Sequence, residues 1–192
     1  MLRTCTLILA TCLLAAADRP AGADSWAASF AKEAAGDYVG AIAALQPLRQ
    51  THSDPYLLAL RSGWLHYRSG RYDDAVGAYQ EALRLAPTAN EPRLAMISPL
   101  LAAKRWTDAE RQSRQVLRDD PGCFWASYWL VECLLGAQRA REANTIARSL
   151  AERYPGDATV LEQALRCGKA AGEPLIGDIA NRLAILKLAA SR

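Results

Sequence analysis

The chain has 192 residues, 51% of them apolar and 22% charged, with a formal net charge of +3. That balance suits one folded, compact or quasi-linear domain, so disorder is not the default. Lys and Arg are scattered rather than grouped, so nothing marks a nucleic-acid surface, and the longest apolar run falls short of the ~20 residues that span a bilayer.

The first 23 residues differ from the rest. Arg3 gives a positive start, 5–17 is a continuous apolar run, and Ala21, Gly22 and Ala23 form a small-x-small cleavage site. This is the layout of a secretory signal peptide, so the expected mature chain starts at Asp24 and the protein is exported, periplasmic or secreted. Ala15, Ala16 and Ala17 offer a second cleavage site. Cys12 follows a weak lipoprotein-like box, with Thr11 in place of a smaller residue. The protein is expected to be peripheral to a membrane at most.

From residue 24 onward the pattern is helical throughout. A first helix carries Trp26 and Phe30 and stops at Gly36. Its partner presents Tyr38, Ala41, Ile42, Leu45 and Leu48, with Pro47 placed to kink or shorten it. A polar connection over 50–55 leads to a unit spanning 56–89 that contains Gly63, His66, Tyr67, Gly70, Tyr72, Ala75, Tyr79, Ala82 and Pro87. Gly63 allows two helices to approach closely, and Gly70 frees the turn between them. Tyr72, Ala75, Tyr79 and Ala82 recur at three- and four-residue steps on one face of the second helix, which Pro87 ends. Asp73 and Asp74 read as a solvated helix start.

Unit 90–123 sets Leu94, Ile97, Leu100 and Leu101 against Trp106, Ala109, Val116 and Leu117, with Lys104 in place of the turn glycine. Unit 124–157 sets Leu130, Val131 and Leu134 against Ala143, Ala147 and Leu150, with Gln138 at the turn. The last unit, 158–192, starts with Leu161, Ala164, Leu165 and Gly172, then leaves the register. Pro174 is placed to start a final helix with Ile176, Ile179, Ala180, Leu183 and Leu186 along its apolar stripe.

Three series keep one phase. Ala41, Ala75, Ala109 and Ala143 recur every 34 residues, as do Pro87, Pro121 and Pro155, and Tyr38, Tyr72 and Trp106. This pattern resembles the tetratricopeptide repeat family over 24–192, essentially the whole mature chain. The resemblance implies an all-α fold: a right-handed α-solenoid of four to five helix-turn-helix repeats (24–55, 56–89, 90–123, 124–157 and 158–192) closed by a C-terminal capping helix.

Catalytic chemistry has no foothold in the sequence. His52 and His66 stand in unrelated contexts, the second reading as a packing residue, and no catalytic or metal-ligand motif occurs. No catalytic residue, metal ligand or cofactor is expected. Of the mature cysteines Cys123, Cys133 and Cys167, the last two are one repeat apart; helix axes ~8–10 Å apart place them too far for a disulfide, so they read as buried core residues.

The resemblance further implies that first helices line a concave binding face. Its register directs Trp26, Phe30, Leu57, Leu60, Trp64, Tyr67, Arg68, Leu94, Ser98, Leu101, Trp125, Tyr128, Glu132, Glu162, Arg166 and Lys169 toward it. Leu60, Trp64 and Tyr67 share a helix face independently, as do Trp125, Tyr128 and Glu132. The clamp by which some family members hold a chaperone's carboxyl end is missing, since Ser98, Ala102, Glu132 and Gly136 stand in its place. An extended peptide or amphipathic helix with apolar anchors is the expected protein partner, in an adaptor or scaffold role. The alternative is a small molecule or glycan stacked on the same aromatic side chains.

Overall fold

The structure, a computed structural model, describes residues 22–50, 54–173 and 177–190. The signal segment therefore lies outside the described residues except for its last two positions, as do His52, Pro174 and Ile176.

The helices follow in chain order as α1 (Ala23–Ala34), α2 (Tyr38–Ala43), α3 (Gln46–Gln50), α4 (Pro55–Arg68), α5 (Tyr72–Leu85) and α6 (Glu91–Ala102). They continue as α7 (Trp106–Asp119), α8 (Phe124–Gly136), α9 (Ala140–Arg153), α10 (Ala158–Ala171) and α11 (Gly177–Ala190). No strand occurs among the described residues. From α4 onward successive helices pack in order, α1 packs on α2 and α2 on α4, and α4 with α6 and α6 with α8 touch between neighbouring pairs. The result is the right-handed α-solenoid that the resemblance implies.

The repeated alanines show why the period exists. Ala41, Ala75, Ala109 and Ala143 are all fully buried. Each lets the second helix of a pair lie close to its neighbours, and a larger side chain there would push the helices apart. Gly63 does the same from the first helix: a Cβ added to it would meet Cε1 of the buried Tyr79 at 2.6 Å. Pro87, Pro121 and Pro155 each stand two residues beyond the end of α5, α7 or α9.

Turns within the pairs share one backbone conformation whatever residue supplies it. Residues 36, 70, 104, 138 and 172 are spaced by 34, and all have positive φ: 77° at Gly36 and Gly70, 57° at Lys104, 62° at Gln138 and 69° at Gly172. Lys104 and Gln138 thus replace glycine without changing the turn, because the packed helices on either side impose it.

Pro47 breaks the second helix of the first pair into α2 and α3, with Ala44 and Leu45 between them. The proline falls in the first turn of α3, where its missing donor costs least. Asp73 and Asp74 are exposed at the start of α5, as a solvated helix start requires, and both also pair with arginines. Arg71, Arg105 and Arg139 stand at the N-caps of α5, α7 and α9 and bind acids three residues on: Asp74 at 2.7 Å, Asp108 at 2.9 Å and Glu142 at 2.7 Å. Arg105 also reaches back to Asp73 at 3.2 Å and Arg139 to Glu110 at 2.7 Å. Such partly exposed pairs each stabilise by only ~0–1 kcal/mol, but they recur in register and tie one pair to the next.

At the C-terminal end α11 packs on α10. Leu183 is buried, with Ile179 and Leu186 half-buried against the last core cluster. Ala180, expected on that stripe, is exposed, because it lies at the edge of the face centred on Ile179, Leu183 and Leu186.

Candidate concave binding face

The first helices of the five pairs are α1, α4, α6, α8 and α10. One position on them runs through Phe30, Trp64, Ser98, Glu132 and Arg166 at the 34-residue step. The chemistry along this row changes from aromatic at the N-terminal end to ionic at the C-terminal end.

At the N-terminal end the row is built around Glu33. Trp64 donates its indole N–H to Glu33 Oε1 at 2.5 Å, and Arg61 pairs with the same carboxylate. Burial pushes the Glu33 carboxyl up, but hydrogen bonds from Trp64 and Arg61 and the positive charge of Arg61 and Arg68 more than offset this and hold it below the ordinary value. Arg61 also donates to the buried Ser29 hydroxyl at 3.2 Å and lies 4.0 Å above the centre of the Phe30 ring. Arg68 lies over Tyr38 at 5.0 Å and Trp64 at 5.3 Å, and donates to the Tyr38 hydroxyl. Trp64 contacts Tyr67 at 6.0 Å between ring centres.

At the C-terminal end Glu132 takes the equivalent part. It pairs with Arg166 and accepts a 2.6 Å hydrogen bond from Gln163, which also donates to the Tyr128 carbonyl at 3.1 Å. Beside it, Phe124 packs on Trp125 at 5.0 Å and on Tyr154 at 4.8 Å, and Tyr128 packs on Trp129 at 5.2 Å. An open groove of about 600 Å³ follows, bordered by Leu101, Trp106, Tyr128, Glu132, Leu135 and Arg166.

The residues directed here by sequence divide into three groups. Phe30, Leu57, Trp64 and Trp125 are 54%, 49%, 39% and 56% exposed. Trp26, Leu60, Tyr67, Leu94 and Leu101 are half-buried and pack on the core beneath, with Tyr128 and Ser98 also half-buried. Arg68 and Lys169 are exposed, while Glu132 pairs with Arg166 and Glu162 with Lys187 at 2.8 Å. Arg61, Glu33, Phe124, Trp129 and Gln163 were not singled out by sequence. Arg61 lies one helical turn before Trp64, and Gln163 stands at the position equivalent to Arg61, three repeats on. That equivalence was the available signal.

Cys133 and Cys167 are buried free thiols, pushed up by burial to about 12 and about 11, which keeps them protonated and unreactive. Among the described residues no group of His, Cys, Asp and Glu is placed to hold a metal ion, and no helix is long and apolar enough to cross a membrane.

Comparison with known proteins agrees with this architecture. Tetratricopeptide repeat models match residues 58–89 and 100–165. The human protein O-mannosyl-transferase TMTC1 is 33% identical over 84 residues, a stretch covering 43% of this chain but only 9% of that protein. Among solved structures, MamA 41-end from Desulfovibrio magneticus RS-1 superposes with a TM-score of 0.74 at 15% identity, covering 88% of this chain and 96% of that one. The MamA RS-1 ArsTM double mutant superposes at 0.73 with 16% identity, covering 88% and 95%. At such identities the likeness is one of fold. Period, buried alanines, left-handed turns and family matches together place the chain in the tetratricopeptide repeat family, whose stacked helix pairs serve as protein-interaction scaffolds.

Proposed function

We propose that the protein is a non-catalytic adaptor exported to the cell envelope, whose concave face holds a peptide or amphipathic helix of a protein partner. The observation that carries this reading is the exposure of Phe30, Leu57, Trp64 and Trp125 on the first helices. Large aromatic side chains such as Phe30, Trp64 and Trp125, left in water on a face already rigid from packing, are the usual anchors of interfaces. Their polar neighbours are occupied with one another, Glu33 with Arg61 and Glu132 with Arg166, so a ligand with apolar anchors fits better than one needing several free charges. Export rests on the charge and hydropathy of residues 1–23.

The test is a pull-down from envelope extracts with wild type, Trp64→Ala and Trp125→Ala, paired with melting temperatures. A stoichiometric partner retained by wild type and lost from the folded variants supports the reading. Capture unaffected by either change overturns it. Fractionation of the native host with mass spectrometry of the N-terminus tests export: a start at Asp24 outside the cytoplasm is expected, and an unprocessed cytoplasmic product refutes it.

A further inference from the structure

A second concavity lies on the side of α4 turned away from Leu60, Trp64 and Tyr67. It is a pocket of about 650 Å³ between α3, α4 and α5, within the ~300–1,000 Å³ of small-ligand sites. Two features of this chain open it. The second helix of the first pair is broken ahead of Pro47, and the short α3 that follows packs Leu48 against α4 and ends at Gln50 with Arg49 at the edge of the pocket. The pocket wall is also built from small residues, Ala59 and Ser62 on α4 with Gly77 and Ala78 on α5. One 34-residue step on, the same positions carry Arg93, Met96, Arg111 and Gln112; two steps on, Ser127, Leu130, Thr145 and Ile146. Larger side chains stand at most of the equivalent positions in those pairs.

The lining carries charges of both signs, Asp74 and Glu81 against Arg49. Two rim carboxylates are already neutralised, Asp74 by Arg71 at 2.7 Å and Glu81 by Arg84 at 2.5 Å. Arg49, by contrast, is exposed and meets no carboxylate among the described residues; its Nη2 donates to the Ser62 hydroxyl at 3.2 Å. One helical turn along α4 from Ser62, His66 Nδ1 is buried without a hydrogen-bond partner among the described residues. Leu58, Ala59 and Ala78 supply an apolar wall. Among the described residues, Arg49 is thus the lining charge without an opposite partner, and it stands at the edge of an apolar trough.

We propose that this pocket is a second binding site, separate from the concave face, for a small amphiphilic carboxylate. The carboxylate binds the planar fork of Arg49, which matches it with two parallel hydrogen bonds. Ser62 provides a polar contact at the same end, and the hydrocarbon body lies along Leu58, Ala59 and Ala78.

Octanoate is the probe, titrated into the whole folded protein by calorimetry, with octan-1-ol as its uncharged counterpart. One saturable octanoate site is expected, with octan-1-ol and the Arg49→Ala variant each binding at least ~10-fold more weakly. Ser62→Met, which installs the residue found one repeat later, fills the pocket and abolishes binding without loss of melting temperature. Gly77→Leu serves the same purpose should Ser62→Met fold poorly, because a Cβ at Gly77 meets nothing within 4 Å. Trp64→Ala, on the other face, leaves octanoate binding unchanged. Absence of saturation, equal affinity for octan-1-ol, survival of binding in the folded filled-pocket variants, or its loss in Trp64→Ala would each overturn the proposal.

Discussion

The ring of Tyr79 lies against Gly63 so closely that no methyl group fits between them; a Cβ there would come within 2.6 Å of Cε1 and 2.8 Å of two further ring atoms. This contact joins α4 to α5 in the second pair and sets the spacing of the two helices. Gly63→Ala is therefore expected to destabilise the fold by ~1–3 kcal/mol despite the better helix propensity of alanine. Chemical denaturation checks it. Combined with Tyr79→Leu, the change should cost less than the sum of the two, because the partner that it strikes is gone.

The left-handed turns at Lys104 and Gln138 invite the opposite change. Each holds a side chain in a conformation that glycine adopts without steric cost, at φ of 57° and 62°. Lys104→Gly and Gln138→Gly should each stabilise by ~0.5–1 kcal/mol and add in the double variant, since the turns share no partner. Gly70→Ala, at φ 77°, should lower stability by a similar amount. Melting curves of the four variants measure this directly.

Glu33 gives the fold an acid-sensitive joint between its first two pairs. Its carboxyl titrates below its ordinary value of 4.5, so folding favours the charged form. The stability that this contributes is complete above about 4.5 and is lost as pH falls through the lower folded value. A series of melting temperatures from neutral pH downward should show the loss, and Glu33→Gln should flatten that part of the curve.

Trp125 and Leu134 both lie on α8 but should respond differently to truncation. Leu134 is fully buried, and Leu134→Ala should cost ~2–5 kcal/mol. Trp125 is 56% exposed, so Trp125→Ala should change stability by less than ~1 kcal/mol while weakening partner capture. Denaturation midpoints and pull-down on the same preparations separate the two effects. A loss of stability at Trp125 equal to that at Leu134 would make it a core residue.

The sequence by itself determined the repeat. Ala41, Ala75, Ala109 and Ala143 mark the sites where second helices lie closest to their neighbours, and close packing tolerates so few residues there that the 34-residue period is readable. Pro47 likewise announced the break between α2 and α3, because a missing backbone donor acts locally. Only the tertiary structure decided what Lys104 and Gln138 do, since their left-handed turns are imposed by the helices on both sides. It also decided that Glu33 is shared by Arg61 and Trp64, and that Glu132 is shared by Gln163 and Arg166. These partners lie about one repeat apart in sequence and meet through the offset between neighbouring pairs, which no single helix encodes. The pocket beside His66 has the same origin: a packing position by its place in the repeat, His66 borders open space because α3 and four small residues elsewhere fail to fill it.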